Sequence, residues 1–229
     1  MNDDTRKLIK SITLPLSFVL LLWIIKTLEY FLGMNFYNWG IYPLTVDGLK
    51  GIITAPLIHK DFKHLISNTL PLLISSVGIL YFYRKFALKA FLGMYLMIGI
   101  WTWCFARPSY HIGASGLVYG FVFFLFFSGI FRKDTAAMAI SMLVTFLYGS
   151  MVWGILPVVE EISWESHLMG AVAGIFFAYY FRKSGDITPK HVWNDEEDTS
   201  IDYMQSDTSF SEDPENTLNE QDKTSSQMP

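Results

Sequence analysis

The chain has 229 residues, of which 52% are hydrophobic and 17% aromatic, and its mean hydropathy is +0.32. This composition is too apolar for an ordinary water-soluble domain of this length and predicts a membrane protein. The formal charge of −4 is unevenly spread: residues 184–229 hold twelve acidic and two basic residues, which is −10, and leave +6 for the rest.

Six apolar stretches have about the 20 residues that a helix needs to cross a bilayer. They are Ile12–Leu32, Leu65–Tyr83, Phe86–Phe105, Ser115–Phe131, Ala136–Leu156 and Ile162–Phe181. Buried helices of a soluble protein are the alternative, but six such runs leave almost no polar face for water. The sequence therefore predicts an all-α, polytopic membrane protein with six transmembrane helices.

The first span differs from a cleavable signal peptide, because its apolar core is too long and no small-residue cleavage site follows. Lys26 and Glu29 interrupt its far end. We expect both side chains to reach the membrane interface by snorkelling. The loop that follows, Gly33–Lys63, contains Trp39 and Tyr42-Pro43, which suit an interfacial element.

Polar residues open the second span. His59 precedes it, and His64 and Asn68 lie four residues apart, so these two share one helix face. An imidazole and a carboxamide in an apolar helix cost free energy, so residues of these types in such a helix usually have a function. They are either interface residues with local hydrogen bonds or a pair of donors for an oxyanion.

The fourth span begins with the tetrapeptide Gly113-Ala114-Ser115-Gly116. The two glycines let a backbone approach Ser115 closely. The start of a helix also presents free N–H groups and the positive end of its dipole. Small-residue runs of this kind are also common packing devices between membrane helices.

The sixth span contains His167, about 8 Å from its beginning at 1.5 Å per residue. Spans four and six start on the same side, so Ser115 and His167 can meet at a common depth. A serine hydroxyl becomes nucleophilic when an imidazole accepts its proton. Gly170 and Gly174 form a G-x-x-x-G pattern that lets span six approach span four.

Other residues compete for these roles. His111 is a rival base, four residues before Ser115, and carboxylates near the start of span six could orient His167. These carboxylates are Glu160, Glu161 and Glu165. Because Cys104 is the only cysteine, an intrachain disulfide or a cysteine-based metal site is excluded.

Basic residues predict the orientation, because they concentrate on the cytoplasmic side of membrane proteins. Ten lie on one predicted side: Arg6, Lys7, Lys10, Arg84, Lys85, Lys89, Arg132, Lys133, Arg182 and Lys183. Four lie on the other: Lys50, Lys60, Lys63 and Arg107. Both termini are then cytoplasmic. We expect a cytoplasmic N-terminus over residues 1–11, a helical domain over 12–183 and an acidic, disordered cytoplasmic tail over 184–229.

Taken together, these motifs resemble the rhomboid family of intramembrane serine proteases. The matching segments are the His59/His64/Asn68 cluster, Gly113-Ala114-Ser115-Gly116, and Ser166-His167-Leu168-Met169-Gly170 leading to Gly174. The resemblance covers residues 12–183. The chain departs from many family members in having no Trp-Arg pair in the loop between spans one and two.

The resemblance implies a catalytic dyad without a third acid, in which Ser115 is the nucleophile and His167 the base. It also implies that the side chains of His64 and Asn68, with the Ser115 N–H, bind the oxyanion, and that Tyr119 packs on the catalytic imidazole.

The predicted activity is serine endopeptidase cleavage of single-span membrane proteins near the outer end of their transmembrane helix. Neither a metal nor an organic cofactor nor a nucleic-acid partner is expected, and the predicted location is a prokaryotic plasma membrane. A catalytically silent rhomboid-like protein that binds membrane clients is the alternative. A small transporter is disfavoured because the spans lack interior charges other than Lys26 and Glu29.

Overall fold

A computed structural model describes residues 3–147, 153–158 and 162–184 of the chain. Seven α-helices form this part: α1 Asp3–Phe31, α2 Gly51–Thr54, α3 Phe62–Phe82, α4 Arg84–Phe105, α5 Ser115–Arg132, α6 Thr135–Leu147 and α7 Trp164–Tyr180. Short 3-10 turns occupy Tyr37–Trp39, Asp47–Lys50, Ala55–Leu57 and Trp153–Ile155. Within these residues the only extended pairing is an isolated antiparallel bridge between Ile41 and His111. The all-α class is as predicted.

Four of the helices are long and apolar enough to cross a membrane, namely α1, α3, α4 and α5. The other three helices are shorter: α2 has 4 residues, α6 has 13 and α7 has 17. The predicted tail over residues 184–229 lies, beyond its first residue, outside the described residues.

One predicted span boundary was wrong, and one helix extends beyond its predicted span. The first helix begins at Asp3, nine residues before the predicted Ile12, because polar residues continue the helix beyond its apolar part. The fifth span was predicted to run to Leu156, but Trp153–Ile155 forms a 3-10 turn. Gly154 and Pro157 in this stretch favour a turn over a continuing helix.

The expectation for Lys26 and Glu29 was also wrong, because both side chains are buried, with 8% of each residue exposed. They form an ion pair of 2.9 Å. Lys26 Nζ also donates to the carbonyl oxygens of His59 and Lys60, at 3.0 and 3.1 Å, and Glu29 accepts the N–H of Phe36 at 3.0 Å. The chain after α1 thus folds back and satisfies both charges inside the protein, so neither side chain needs the interface.

Helix α5 lies at the centre of the bundle and contacts α3, α6 and α7. Its contact with α7 is the most extensive and is made through glycines. A Cβ atom on Gly170 would fall on the carbonyl oxygen of Gly116, and one on Gly174 would fall on that of Gly120. The predicted close approach of these two helices is therefore present, and it brings the starts of α5 and α7 together.

Candidate active site

Ser115 is the first residue of α5, and the turn before it depends on glycine. Gly113 has a positive φ of 105°, a backbone conformation that residues with a Cβ atom rarely adopt. Its N–H donates to the carbonyl oxygen of Ala55 at 2.9 Å. A Cβ atom on Gly113 would lie 2.8 Å from Nε2 of His64. Glycine therefore permits both the turn and the close approach of His64 to the start of α5.

Ser115 and His167 are in direct contact. The distance between Ser115 Oγ and His167 Nε2 is 2.7 Å. His167 Nδ1 lies 2.8 Å from the carbonyl oxygen of Gly154. A carbonyl oxygen can only accept, so Nδ1 carries the proton and donates to Gly154. The Nε2 lone pair is then directed at the hydroxyl of Ser115, which is the tautomer that a general base requires.

The ring of Tyr119 packs flat on the imidazole of His167. The two ring centroids are 4.3 Å apart and the planes are inclined by 13°. Tyr119 lies one turn after Ser115 on α5, so the same helix presents the hydroxyl and the surface that supports its partner. This contact restricts the tilt of the imidazole.

His64 and Asn68 lie beside the start of α5. Asp61 caps α3 by accepting the N–H of His64 at 2.7 Å, which places His64 in the first turn. This hydrogen bond lowers the pKa of Asp61. Asn68 lies one turn later, and its Nδ2 is buried without a hydrogen-bond partner in the described structure. An amide donor in this state is available to a ligand oxygen.

His59 contacts the turn that precedes Ser115 and α5. Only 1% of the residue is exposed, and its Nε2 accepts the N–H of Ala114 at 3.4 Å. Burial is the main cause that lowers the pKa of His59 to about 3, and the neighbouring His64 contributes to the lowering. His59 is therefore neutral at physiological pH and can accept this hydrogen bond.

The rival residues have other partners. His111 Nδ1 lies 2.6 Å from Ser163 Oγ, and His111 Nε2 lies 3.1 Å from the carbonyl oxygen of Arg107. Burial lowers the pKa of His111. Glu165 pairs with Arg107, whose Nε is 3.5 Å from Oε1. His111 is therefore not placed as the base, and the carbonyl of Gly154 rather than Glu165 orients His167.

The remaining two carboxylates, Glu160 and Glu161, lie outside the described residues. The role of Gly154 was missed from the sequence, because any residue supplies a carbonyl. Gly154 itself and the nearby Pro157 were the signals that the helix breaks there.

The candidate residues line one cleft of about 630 Å³. His64, Asn68, Ser115, Tyr119 and His167 all contribute to its wall. The cleft is large enough for several water molecules and a short extended peptide segment. Among the residues that the structure describes, no group of three or more His, Cys, Asp or Glu side chains could hold a metal ion.

Comparison with known proteins gives a consistent result. Residues 47–184 match the family model of the Rhomboid domain. Proteins of Mycobacterium bovis and Mycobacterium tuberculosis are each 37% identical over 181 residues, which is 73% of this chain and 73% of the relative. A Mycobacterium leprae protein is 32% identical over 191 residues, which is 78% of this chain and 74% of the relative. All three relatives are described only as uncharacterized proteins. The chain belongs to the rhomboid family and is a polytopic integral membrane protein.

Proposed function

We propose that this protein is an active serine endopeptidase that cuts single-span membrane proteins near the outer end of their transmembrane helix. The observation that carries the proposal is the 2.7 Å contact between Ser115 Oγ and His167 Nε2, with Nδ1 held by a carbonyl. A serine and a neutral imidazole in this arrangement are the minimum that acyl transfer needs.

In the first step, Ser115 Oγ attacks the carbonyl carbon of the scissile peptide bond as its proton passes to His167 Nε2. The tetrahedral intermediate collapses when the imidazolium gives this proton to the leaving amine, and an ester to Ser115 remains. Water then attacks the ester, with His167 again taking and returning the proton, so the enzyme is regenerated. Gly154 accepts a hydrogen bond from Nδ1 throughout and stabilises the charged ring.

The oxyanion is bound by the side chains of His64 and Asn68 and by the N–H of Ser115. The unpartnered Nδ2 of Asn68 supports this assignment, as does the approach of His64 to Gly113. The start of α5 adds the positive end of a helix dipole. Donors that are already fixed need no reorganisation as negative charge develops.

The cleft supports hydrolysis at a site within a membrane protein. It brings water to Ser115, which lipid would otherwise exclude, and it leaves room for an unwound stretch of substrate. A substrate helix hides its carbonyl groups in internal hydrogen bonds, so residues that weaken a helix near the cut favour cleavage.

The distribution of basic residues supports a cleft on the non-cytoplasmic side and both termini in the cytoplasm. The mycobacterial relatives support a prokaryotic plasma membrane as the location.

The test is cleavage of a generic single-span substrate in proteoliposomes by the wild type, Ser115→Ala and His167→Ala. Loss of cleavage in both folded variants, with labelling of Ser115 by a fluorophosphonate in the wild type alone, is the expected result. Cleavage that persists in either variant would remove that residue from the mechanism. A wild type that neither cleaves nor labels would favour a silent protein that binds membrane clients.

A further inference from the structure

A second serine–histidine contact lies beside the first. His111 Nδ1 is 2.6 Å from Ser163 Oγ, and each of these residues precedes a member of the Ser115–His167 pair by four positions. Both contacts therefore join residues 52 positions apart. The roles are exchanged, because the histidine lies before α5 and the serine before α7.

Ordinary helix capping does not explain the position of Ser163. It is the residue before α7, where a serine side chain usually accepts a backbone N–H of the first turn. Its hydroxyl makes no such bond and is directed to His111. The contact between the two segments thus takes the place of a local cap.

His111 is itself fixed by contacts on both sides. Its backbone N–H and carbonyl oxygen pair with Ile41 at 2.8 and 3.0 Å. Its Nε2 faces the carbonyl of Arg107, so Nε2 carries the proton and Nδ1 accepts from the hydroxyl of Ser163. Only 2% of His111 is exposed. These contacts fix the position of His111 in the loop that leads into α5.

A guanidinium strengthens the same connection. Arg107 Nη2 donates to the carbonyl oxygen of Ile162 at 2.8 Å, and the Arg107 N–H donates to Glu165 at 3.3 Å. The loop before α5 is therefore tied at several points to α7 and to the residues just before it, and of these contacts the one between His111 and Ser163 is nearest to Ser115 along the loop.

The glycine contact between α5 and α7 leaves a role for such a tie. Glycines allow the two helices to approach, but they provide no side chains that interlock and resist sliding along the helix axes. A slide would change the distance between Ser115 Oγ and His167 Nε2 directly.

We propose that His111 and Ser163 are positioning residues that fix the register of α5 against α7 and thereby hold Ser115 at hydrogen-bond distance from His167. The catalytic part of this inference rests on the proposed function. The geometric part does not, since the distance within the dyad can be observed without turnover.

The experiment compares the full chain with Ser163→Ala, Ser163→Thr and His111→Asn. Threonine keeps the hydroxyl, and the asparagine oxygen can replace Nδ1 as the acceptor. For Ser163→Ala we expect kcat to fall about 10- to 100-fold with KM little changed, since a misplacement of about 1 Å costs that much. The rate of Ser115 labelling by a fluorophosphonate should fall in parallel, and Ser163→Thr and His111→Asn should recover most of both rates.

The ¹⁵N NMR signal of His167 Nε2 supplies the readout that is independent of turnover. In Ser163→Ala it should move towards the signal of Ser115→Ala, in which the hydrogen bond is absent. Ser17→Ala, which removes a hydroxyl from the exposed face of α1, is the control and should leave kcat and the signal unchanged.

Thermal unfolding separates positioning from stability. A lower Tm with unchanged kcat per folded molecule and an unchanged His167 signal would mean that the pair is only structural, and would overturn the inference. If the wild type neither cleaves nor labels, the proposed function fails, while the NMR comparison still decides whether Ser163 sets the dyad geometry.

Discussion

His167 Nδ1 lies 2.8 Å from the carbonyl oxygen of Gly154, in the segment between α6 and α7. This contact fixes the tautomer and the direction of the imidazole, a task that a carboxylate performs in many serine hydrolases. A backbone carbonyl adds no full charge to a low-dielectric site, so it avoids the cost of burying another ion. The segment around Gly154 is thus part of the catalytic arrangement that we propose.

Gly154→Ala tests this arrangement. The added Cβ would overlap the hydroxyl of Tyr119 and lie 3.2 Å from His167 Nδ1, so either the ring or the carbonyl must move. We expect kcat to fall about 10- to 100-fold, measured by cleavage in proteoliposomes, because the dyad geometry changes.

Tyr119→Phe provides the matched control, because it removes only the hydroxyl that the new Cβ meets and keeps the stacked ring. The double variant Gly154→Ala/Tyr119→Phe should therefore recover part of the lost rate. Equal rates for Gly154→Ala and the wild type would show that the position of this carbonyl does not matter.

Much of the fold was predictable from the sequence. Long apolar runs predicted the helices, since few other structures satisfy the backbone in a bilayer. The proximity of Ser115 and His167 followed from two helices that start on the same side, and the glycines at 170 and 174 predicted close packing.

Other features were not predictable, because they depend on backbone atoms or on a segment distant in sequence. The role of the Gly154 carbonyl cannot be predicted from residue type, because every residue has a backbone carbonyl. The snorkelling expected of Lys26 and Glu29 was wrong because the sequence does not reveal that the chain after α1 folds back. This fold brings the carbonyl oxygens of His59 and Lys60 to Lys26.

The proposed oxyanion site predicts losses in kcat for two variants. Asn68→Ala removes the unpartnered Nδ2, and His64→Ala removes the imidazole beside Gly113. Each should lower kcat about 10²- to 10³-fold with little change in KM, because the donors act on charge that appears only in the transition state. A rise in KM at constant kcat in steady-state cleavage would instead assign these side chains to substrate binding.

The contact between α5 and α7 predicts a strong effect of Gly170→Val. Even a methyl group on Gly170 would overlap the carbonyl oxygen of Gly116, so the helices must separate. Cleavage should be lost, and the Tm in detergent should fall. Val172→Ile enlarges an exposed side chain of the same helix and should change neither quantity. An active Gly170→Val enzyme would contradict the requirement for close packing.

The buried Lys26–Glu29 pair predicts an asymmetric effect on stability. Lys26→Met leaves the carboxylate of Glu29 buried without a cation and removes two bonds to backbone carbonyls. The free energy of unfolding should fall by about 3–5 kcal/mol. The double variant Lys26→Met/Glu29→Gln removes both charges and keeps an acceptor for Phe36, so it should be more stable than Lys26→Met alone. A double variant that is less stable than Lys26→Met in detergent unfolding curves would contradict this account.

His59 predicts how stability depends on pH. Its pKa is about 3 in the folded protein, mainly because of burial, against about 6.5 in the unfolded chain. Between these values the unfolded chain binds the proton and the folded protein does not. The stabilisation is therefore fully present above pH 6.5 and is lost as the pH falls towards 3.

Unfolding of the wild type and of His59→Gln, measured from pH 7 to pH 4, isolates this contribution. The wild type should lose up to about 1.4 kcal/mol more per pH unit than the variant, which is the slope for one proton. Asp61, whose pKa is lowered, adds a loss of the same sign at the acidic end, but it is present in both proteins and cancels in the difference. Parallel curves would mean that His59 binds a proton as readily in the folded protein as in the unfolded chain, and that burial does not lower its pKa.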